Sequence, residues 1–437
     1  MDVYAKIKQE AQALQPWMVK NRRDFHKYAE SGWLEMRTAS LIARKLTDLG
    51  YEVLIGEEVC LTESRMGVPE MEVLEKAYHR AVEQGADPEF VEKVRTGHTG
   101  VIGILRCGEG PTVAMRFDID ALGVNESNDP EHLPCREGFA SVNPGSMHAC
   151  GHDCHGTIGL GVAHVLLQIR EHLHGTVKLI FQPAEEGVRG AKSIVDKGHL
   201  DGVNYVIGSH VTSRKPGQEF DLYTGSFGSL ATCKYDVTFH GVSSHAGGSP
   251  QNGRNALLAA ANAVMNLYAI PRHADGATRI NVGTLVAGSG RNVIADEAKM
   301  EIEVRGANTQ LNDYMCQYAM RVLENAAFMH GCTYDVKVVG GTGSIESDLP
   351  LAERLDTMCR EKLGMPTSDQ KLLKLGGSED FAYMMNRVQE QGGQATFLRV
   401  MTKFDGPAHN VRFNVDEEVL YKAVQVFCGS AVELMNG

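Results

Sequence analysis

The chain has 437 residues, which is more than one hydrophobic core usually supports, so two domains are expected. A formal net charge of −12, from 43 basic and 55 acidic side chains, disfavours nucleic acids and anionic membranes as partners. No segment resembles a signal peptide or approaches the roughly 20 consecutive apolar residues of a transmembrane helix. Ten scattered cysteines do not form a disulfide framework and fit a reducing compartment, so we expect a cytoplasmic protein.

Strands and helices alternate through the first half of the chain. The predicted elements are a helix at 33–49, a charged helical insert at 60–98, strands at 101–105 and 113–117, a helix at 157–170, and strands at 177–181 and 205–208. Each apolar run ends in polar or glycine-rich sequence. This alternation indicates an α/β fold with functional groups at the strand ends.

A different order begins near residue 229. The predicted elements are a strand at 234–239, a helix at 255–270, strands at 279–286 and 298–305, a helix at 311–329 and a strand at 333–339. The order β-α-β-β-α-β is that of a ferredoxin-like domain. We therefore predict a first domain made of 1–228 and 341–437, including the insert at 60–98, and an inserted domain at 229–340.

The segment 147–155 combines thiol, imidazole and carboxylate groups, which is a metal-ligand composition. Cys150 and His152 are one residue apart, so both can face one ion only from an extended or looped backbone. One interpretation is a structural zinc site formed by Cys150, His152, Cys154 and His155. Such sites usually pair two ligand knuckles, and no second knuckle follows. A catalytic site would instead take its remaining ligands from distant strand ends.

Suitable ligands do lie at predicted strand ends. Glu186 and His210 each follow a predicted strand, and His409 lies near the C-terminus. A single histidine is more often an ordinary surface or core residue, but the place of His210 just after a buried strand favours a functional role. Glu185 adjoins Glu186, and two neighbouring carboxylates can divide metal binding and proton transfer between them.

The chain resembles the M20 family of metallo-amidohydrolases, in particular its aminobenzoyl-glutamate utilisation branch. The matching motifs lie at 22–26, 28–33, 64–69, 138–141, 147–155, 182–187, 288–293 and 377–380. The resemblance covers essentially the whole chain, including the insert. It implies a two-domain zinc-peptidase-like fold, with a mixed-sheet catalytic domain and an inserted ferredoxin-like domain that acts as lid and dimerisation domain.

The resemblance also implies a metal centre. Two divalent ions, Mn²⁺ or Zn²⁺, would be bound by Cys150, His152, Glu186, His210 and His409, with the Cys150 thiolate bridging them. A carboxylate bridges in the wider family. Sulfur favours zinc, whereas relatives of this branch are manganese enzymes, so both metals stay open.

Glu185 is the expected general base, by the same resemblance. Asp118 and Asp120 lie in the family's first strand-end motif, and Asp120 is expected to orient a ligand histidine. The alternative is that both carboxylates only cap the next element. A supporting role is expected for three further motif residues, His26, His148 and His155.

The inserted domain carries three more expected site residues. His245 matches the family histidine that reaches the substrate oxyanion from the lid, often across a dimer interface. Asn292 and Arg305 match positions that bind the substrate and its α-carboxylate, for which the guanidinium fork is suited. For Arg305 the alternative is an ordinary surface arginine.

The favoured reaction is hydrolysis of the amide bond of p-aminobenzoyl-glutamate. Hydrolysis of N-acetyl, hippuryl or indoleacetyl amino acids is the second hypothesis. The third is a subunit that regulates, or needs, a homologous partner, so either a homodimer or a heterodimer is expected. Many relatives have His-Ser-Pro where this chain has His409-Asn410-Val411, so the rim of the pocket is expected to differ.

Overall fold

The computed structural model describes residues 2–436. The chain forms two compact units. The first contains the chain up to Phe227 together with Ile345–Lys374 and the segment from Asp380 onward, and the second contains Gly228–Ser344 and Leu375–Glu379. The predicted inserted domain, 229–340, lies within the second unit. That unit continues to Ser344 because its last strand runs to Thr342.

Helices pack against the sheets of both units. Within the described residues the α-helices are α1 (Val3–Ala13), α2 (Gln15–Lys27), α3 (Met36–Asp48), α4 (Met71–Glu83), α5 (Val91–Val94), α6 (Leu133–Arg136), α7 (His152–Gln168), α8 (Ala191–Asp196), α9 (Ala256–Tyr268), α10 (Thr309–Met329), α11 (Leu349–Thr357), α12 (Ala382–Glu390) and α13 (Val419–Met435). Along residues 2–436 no helix is both long and apolar enough to cross a bilayer.

The strands are short in the first unit and longer in the second. They are β1 (Glu52–Ile55), β2 (Val101–Arg106), β3 (Thr112–Asp118), β4 (Thr176–Gln182), β5 (Tyr205–Ser213), β6 (Leu222–Tyr223), β7 (Gly225–Phe227), β8 (Ala231–His240), β9 (Thr278–Ala287), β10 (Glu297–Gly306), β11 (Thr333–Thr342), β12 (Leu372–Lys374), β13 (Gln394–Thr402), β14 (Phe404–Asp405) and β15 (Asn414–Val415).

A seven-stranded mixed sheet forms the centre of the first unit. Its order is β1-β2-β4-β3-β5-β13-β6, and the four strands β4, β3, β5 and β13 are parallel to one another. The buried helix α7 packs against β3 and α13. Because parallel strands end at the same edge of a sheet, the residues that follow β3 and β4 are brought close to the C-terminal half of β5.

Four boundaries differ from the predictions. His210 lies within β5 rather than after it, because β5 pairs with β13 as far as Ser213. Helix α7 begins at His152, five residues before the predicted start. Helix α3 begins at Met36 because Trp33, with a φ of 69°, cannot continue a right-handed helix. The insert is only partly helical, since loops surround α4 and α5.

The second unit has the predicted β-α-β-β-α-β order, in the elements β8, α9, β9, β10, α10 and β11. Its antiparallel sheet has the order β11-β8-β10-β9. Helices α9 and α10 pack against this sheet around Phe239, Met300 and Leu323. The second unit therefore has a hydrophobic core of its own.

Candidate metal centre

The five predicted metal ligands come together around one thiol. Potential ligand atoms of Cys150, His152 and His210 lie within 4.8 Å of one another, and so do those of Cys150, Glu186 and His409. The Cys150 Sγ lies 3.3 Å from Nε2 of His210, and Nε2 of His409 lies 3.8 Å from Oε1 of Glu186. Because Cys150 belongs to both groups, the arrangement suits two cations that share its sulfur.

Gly151 explains how side chains one residue apart can face the same place. It has a φ of 96° and stands directly before α7, so Cys150 lies outside the helix and His152 is its first residue. A Cβ at Gly151 would lie only 2.6 Å from Cγ2 of Val211, so a larger residue does not fit. The looped backbone that the spacing required is present.

Asp120 contacts two of the predicted ligands. Nδ1 of His152 lies 3.0 Å from the Asp120 carbonyl oxygen and 3.2 Å from its Oδ1, while Oδ2 accepts a hydrogen bond of 2.9 Å from the Glu186 amide. A proton on Nδ1 leaves Nε2 as the ring nitrogen of His152 that would bind a cation, once Nε2 has lost its own proton. These contacts are those expected of a residue that orients His152, and that role of Asp120 stays a prediction.

Two buried atoms at this place lack a partner. Within the described residues, Nε2 of His152 and Oε1 of Glu186 are buried and make no hydrogen bond. Leaving buried polar atoms unpaired is unfavourable. Both atoms are of the types that bind divalent cations, so the residues present fit a metal centre.

Both ring nitrogens of His155 have hydrogen-bond partners, and its potential ligand atoms group with those of Asp118 and His152 but with neither cysteine. Its Nδ1 hydrogen bonds to Oδ1 of Asp118, and its Nε2 accepts a hydrogen bond of 3.0 Å from the Val211 amide. Cys154 is buried and belongs to no cluster of potential ligands in residues 2–436. The alternative structural zinc set is therefore not assembled.

Burial and charge set the protonation of the cluster. Burial raises the pKa of the Cys150 thiol to about 11 and that of Glu186 to about 7. Burial alone would lower the pKa of His152, but the charge of Asp118 outweighs it and raises that pKa well above its ordinary value. Burial, helped by the charge of Arg399, lowers the pKa of His210 well below the ordinary value. A cation binding here must therefore displace protons.

Asp118 stays ionised within the same cluster. Burial alone would raise its pKa, but the Arg116 guanidinium, 2.7 Å away, and the neighbouring histidines hold the pKa well below its ordinary range. The carboxylate contributes negative charge next to His152, with its Oδ2 3.7 Å from Nε2. The side chain of Asp118 therefore faces the cluster of predicted ligands.

The adjacent carboxylates follow β4 in a tight loop. Glu185 and Glu186 lie between Ala184 and Val188, which have φ values of 52° and 59°. Oε2 of Glu185 lies 3.9 Å from Nε2 of His152, whereas Glu186 also faces His409. Glu185 is only 8% exposed, so its carboxylate is largely shielded from water. Both carboxylates thus lie near His152, and Glu186 is also grouped with Cys150 and His409.

Two supporting carboxylates were not predicted. Oε1 of Glu35 accepts a hydrogen bond of 2.8 Å from the Ala184 amide, and Oδ2 of Asp380 accepts bonds from the Gly190 and Ala191 amides. Asp380 lies in the motif at 377–380, which could have pointed to it. Glu35 has no motif of its own, and only its position beside the motif at 28–33 could have drawn attention to it.

The motif at 22–26, which contains His26, forms a buried network of charged and polar side chains. Nε of Arg22 and Nδ1 of His26 each lie 2.8 Å from Oδ2 of Asp153, and all three side chains are buried. Nε2 of His26 lies 3.0 Å from Oε1 of Glu126. This charged network connects α2 to the first turn of α7, next to His152.

In the second unit, the expected site residues separate into two places. His245 is exposed, and its Nδ1 accepts hydrogen bonds from the Gly247 and Gly248 amides, so its proton is on Nε2. Asn292 is adjacent, since its carbonyl oxygen accepts a bond of 2.9 Å from the Ala246 amide. The exposed side chain of His245 can therefore donate a hydrogen bond from Nε2.

Arg305 lies at the other end of the same sheet. In β10, Glu297 pairs with His240 near the His245 loop, whereas Arg305 pairs with Thr232. Eight residues of extended strand span about 26 Å. Arg305 also donates a hydrogen bond of 2.9 Å to Glu303. The structure brings His245 and Asn292 together but does not bring Arg305 to them.

Comparison with known proteins identifies the family. Residues 114–433 match the family described as Peptidase family M20/M25/M40. The chain belongs to this family. As an M20 protein it is an enzyme that hydrolyses amide bonds with the help of metal ions, and the resemblance seen in the sequence is confirmed.

Several relatives of this M20 protein align along nearly its whole length. It is 43% identical over 420 residues to indole-3-acetyl-aspartic acid hydrolase of Enterobacter agglomerans, covering 96% of each chain. It is 42% identical over 427 residues to one of the subunits of p-aminobenzoyl-glutamate hydrolase from Escherichia coli strain K12, covering 98% of each. The solved aminobenzoyl-glutamate utilization protein of Klebsiella pneumoniae superposes with a TM-score of 0.83 at 37% identity, over 98% of both chains.

Proposed function

We propose that this M20 enzyme hydrolyses the amide bond of p-aminobenzoyl-glutamate, giving p-aminobenzoate and glutamate. The observation that carries the proposal is the pair of ligand groups that share Cys150, with the Glu185 carboxylate beside them. The relatives named for p-aminobenzoyl-glutamate and indole-3-acetyl-aspartic acid support the choice of an aromatic acyl group joined to an acidic amino acid.

Cys150, His152, Glu186, His210 and His409 are the proposed metal ligands, with Cys150 bridging. Two divalent cations bound there would polarise the amide carbonyl and make water more acidic. Zn²⁺ suits the thiolate and the imidazoles. Mn²⁺ is the other candidate metal, because a carboxylate ligand is also present. A related solved protein from Bacillus subtilis, 26% identical, is described as a dinuclear metal binding peptidase of the M20 family, which supports two ions.

Glu185 is the proposed general base and acid. Its carboxylate takes a proton from the attacking water and passes it to the amide nitrogen as the C–N bond breaks. The neighbouring Glu186 is held toward Cys150 and His409 and is assigned to metal binding. Because Glu185 is largely buried, little bulk water competes for the proton.

The two groups of the second unit are proposed to act on different sites. Arg305 and His245 lie at opposite ends of β10, too far apart to contact the same amide group. We assign Arg305 to the α-carboxylate of one bound substrate. His245, which presents its Nε2 proton, and the adjacent Asn292 are assigned to the substrate of a second subunit. The enzyme is thus proposed to work as a dimer.

A second candidate differs in the acyl group. The relative at 43% identity is named for indole-3-acetyl-aspartic acid, so an indoleacetyl amino acid is an equally direct substrate proposal. The Escherichia coli relative is named as one of the subunits of its hydrolase, which also supports a heterodimer with a homologous chain. A cytoplasmic location remains a prediction that the unpaired thiols favour.

The testing experiment follows release of p-aminobenzoate by the purified protein after chelation and addition of Mn²⁺ or Zn²⁺. Metal-dependent release supports the proposal, including self-sufficiency of the chain. Hydrolysis of indole-3-acetyl-aspartate or hippurate without p-aminobenzoate release would replace the substrate. Inactivity on all three, in a protein that binds two metal ions, would favour a required partner chain.

A further inference from the structure

The loop at 184–188 carries Glu185 and Glu186, and we call it the carboxylate loop. Its backbone is unusual. Ala184, Gly187 and Val188 have φ values of 52°, 87° and 59°, all in the left-handed region. This region is unfavourable for residues other than glycine, and most of all for a β-branched residue such as valine. Such a conformation persists only where the surrounding structure holds it. The loop therefore depends on side chains outside it.

Arg189 follows this loop and folds back onto it. Its amide donates a hydrogen bond of 3.1 Å to the Ala184 carbonyl oxygen. Its side chain then joins two segments, since Nε donates to the Glu186 carbonyl oxygen at 2.9 Å and Nη1 donates to the Gly67 carbonyl oxygen at 3.1 Å. One guanidinium thus connects a proposed metal ligand to the insert at 60–98.

Two glycines leave space for the guanidinium. A Cβ at Gly32 would lie 2.3 Å from Nη2 of Arg189, and one at Gly187 would lie 3.2 Å from Nε. The planar guanidinium donates in several fixed directions, so it can bind two carbonyl oxygens that diverge. A lysine, with a single ammonium group, cannot reproduce this geometry.

We propose that Arg189 is a positioning residue, which holds the carboxylate loop in the conformation that directs Glu186 toward the metal ions. The consequence for catalysis rests on the proposed function, whereas the consequence for the loop does not. The motif at 64–69 takes part in this positioning. Its Gly67 carbonyl oxygen anchors the guanidinium, so the insert supports the metal centre from outside.

The experiment compares Arg189→Met and Arg189→Lys with the wild-type protein and with Lys192→Met as the control. Lys192 lies in the next helix, α8, and pairs with Asp196. Amide hydrogen exchange of peptides covering 184–190 is measured on the metal-free protein. Mn²⁺ and Zn²⁺ affinities are then measured by titration, and kcat and KM at saturating metal.

For Arg189→Met we expect faster exchange in 184–190, metal affinity lower by about 10- to 100-fold, and a fall in kcat with little change in KM. Arg189→Lys should recover part of each effect, and Lys192→Met none. Wild-type exchange and metal affinity in Arg189→Met would overturn the proposal, even if the unfolding temperature had fallen.

The exchange and metal measurements use no substrate, so they remain decisive if p-aminobenzoyl-glutamate is not hydrolysed. That failure would count against the proposed function alone. Faster exchange in 184–190 with unchanged metal affinity would overturn the link between Arg189 and Glu186.

Discussion

Oδ1 of Asp120 lies 3.2 Å from Nδ1 of His152, and its other oxygen accepts a hydrogen bond from the Glu186 amide. One carboxylate thus contacts the imidazole of His152 and the backbone of Glu186, which lie on different segments. Groups that orient metal ligands in this way typically contribute about 10- to 100-fold to metal affinity.

Replacing Asp120 by alanine should therefore weaken metal binding by about 10- to 100-fold while the fold is retained. The measurement is metal affinity by competition with a chelating dye. Asp201→Asn, at an exposed ion pair with Arg387, is the control and should bind metal as the wild type does. Wild-type affinity in Asp120→Ala would show that His152 and Glu186 are held by other groups.

Glu185→Gln should lower kcat by a factor of about 10² to 10⁴, because the amide cannot accept and return a proton. Metal content should stay at the wild-type level, since Glu186 is the proposed ligand. Steady-state kinetics and elemental analysis of the same sample make the measurement. Loss of a metal ion from Glu185→Gln would instead indicate that Glu185 is the metal ligand and Glu186 the general base.

Metal binding should release protons and strengthen as pH rises. The pKa of the Cys150 thiol, about 11, means that the thiol is protonated at neutral pH and must lose its proton to bind a cation. Calorimetric titration in buffers with different ionisation enthalpies measures the released protons. In Cys150→Ser the number of protons released per bound metal ion should fall. A binding enthalpy of the wild-type protein that is the same in every buffer would contradict the prediction.

Subunit mixing tests the assignment of His245 to a second subunit. Glu185→Gln and His245→Ala should each be nearly inactive alone. After the subunits exchange, half of the dimers are mixed and each contains one intact site, so activity should return to about a quarter of the wild-type level. No recovery, with exchange verified by mass spectrometry, would place His245 and Glu185 of one chain in the same site.

Asp153→Asn tests the buried network at the start of α7. Arg22 and Asp153 are both fully buried, and removing one charge of a buried pair destabilises a protein by about 3–5 kcal/mol. Urea unfolding of the metal-free protein measures the free energy of unfolding. The control is Glu137→Gln, at the partly exposed pair with Arg23, which should cost at most about 1 kcal/mol. Equal effects would show that the network is not important for stability.

Local sequence was sufficient for much of the architecture. The alternation of apolar runs predicted the β-α-β-β-α-β unit, and the composition of 147–155 predicted ligands around Cys150. The predicted order is confirmed because side-chain period is expressed within a few residues. The ligand set stays a prediction, which the closeness of the potential ligand atoms supports. The complete set of potential ligands could not be inferred locally, because Glu186, His210 and His409 lie far from Cys150 in the chain.

Long-range pairing could not be inferred in the same way. The extension of β5 through His210 depends on pairing with β13, almost 190 residues later in the chain. Glu35 and Arg189 contact a loop in which Ala184 and Val188 have left-handed backbone angles. No sequence pattern indicates such angles at residues other than glycine, so these contacts could not be predicted. The distance between Arg305 and His245 became apparent only from the register of β10.

The length of β10 has a consequence for how the specific activity depends on protein concentration. In the proposed arrangement a lone chain cannot supply both Arg305 and His245 to one substrate, so catalytic competence is a property of the pair. Specific activity should then fall on dilution below the dissociation constant of the dimer and recover on concentration. A single ten-residue strand would thus make turnover per molecule depend on how much of the protein is present.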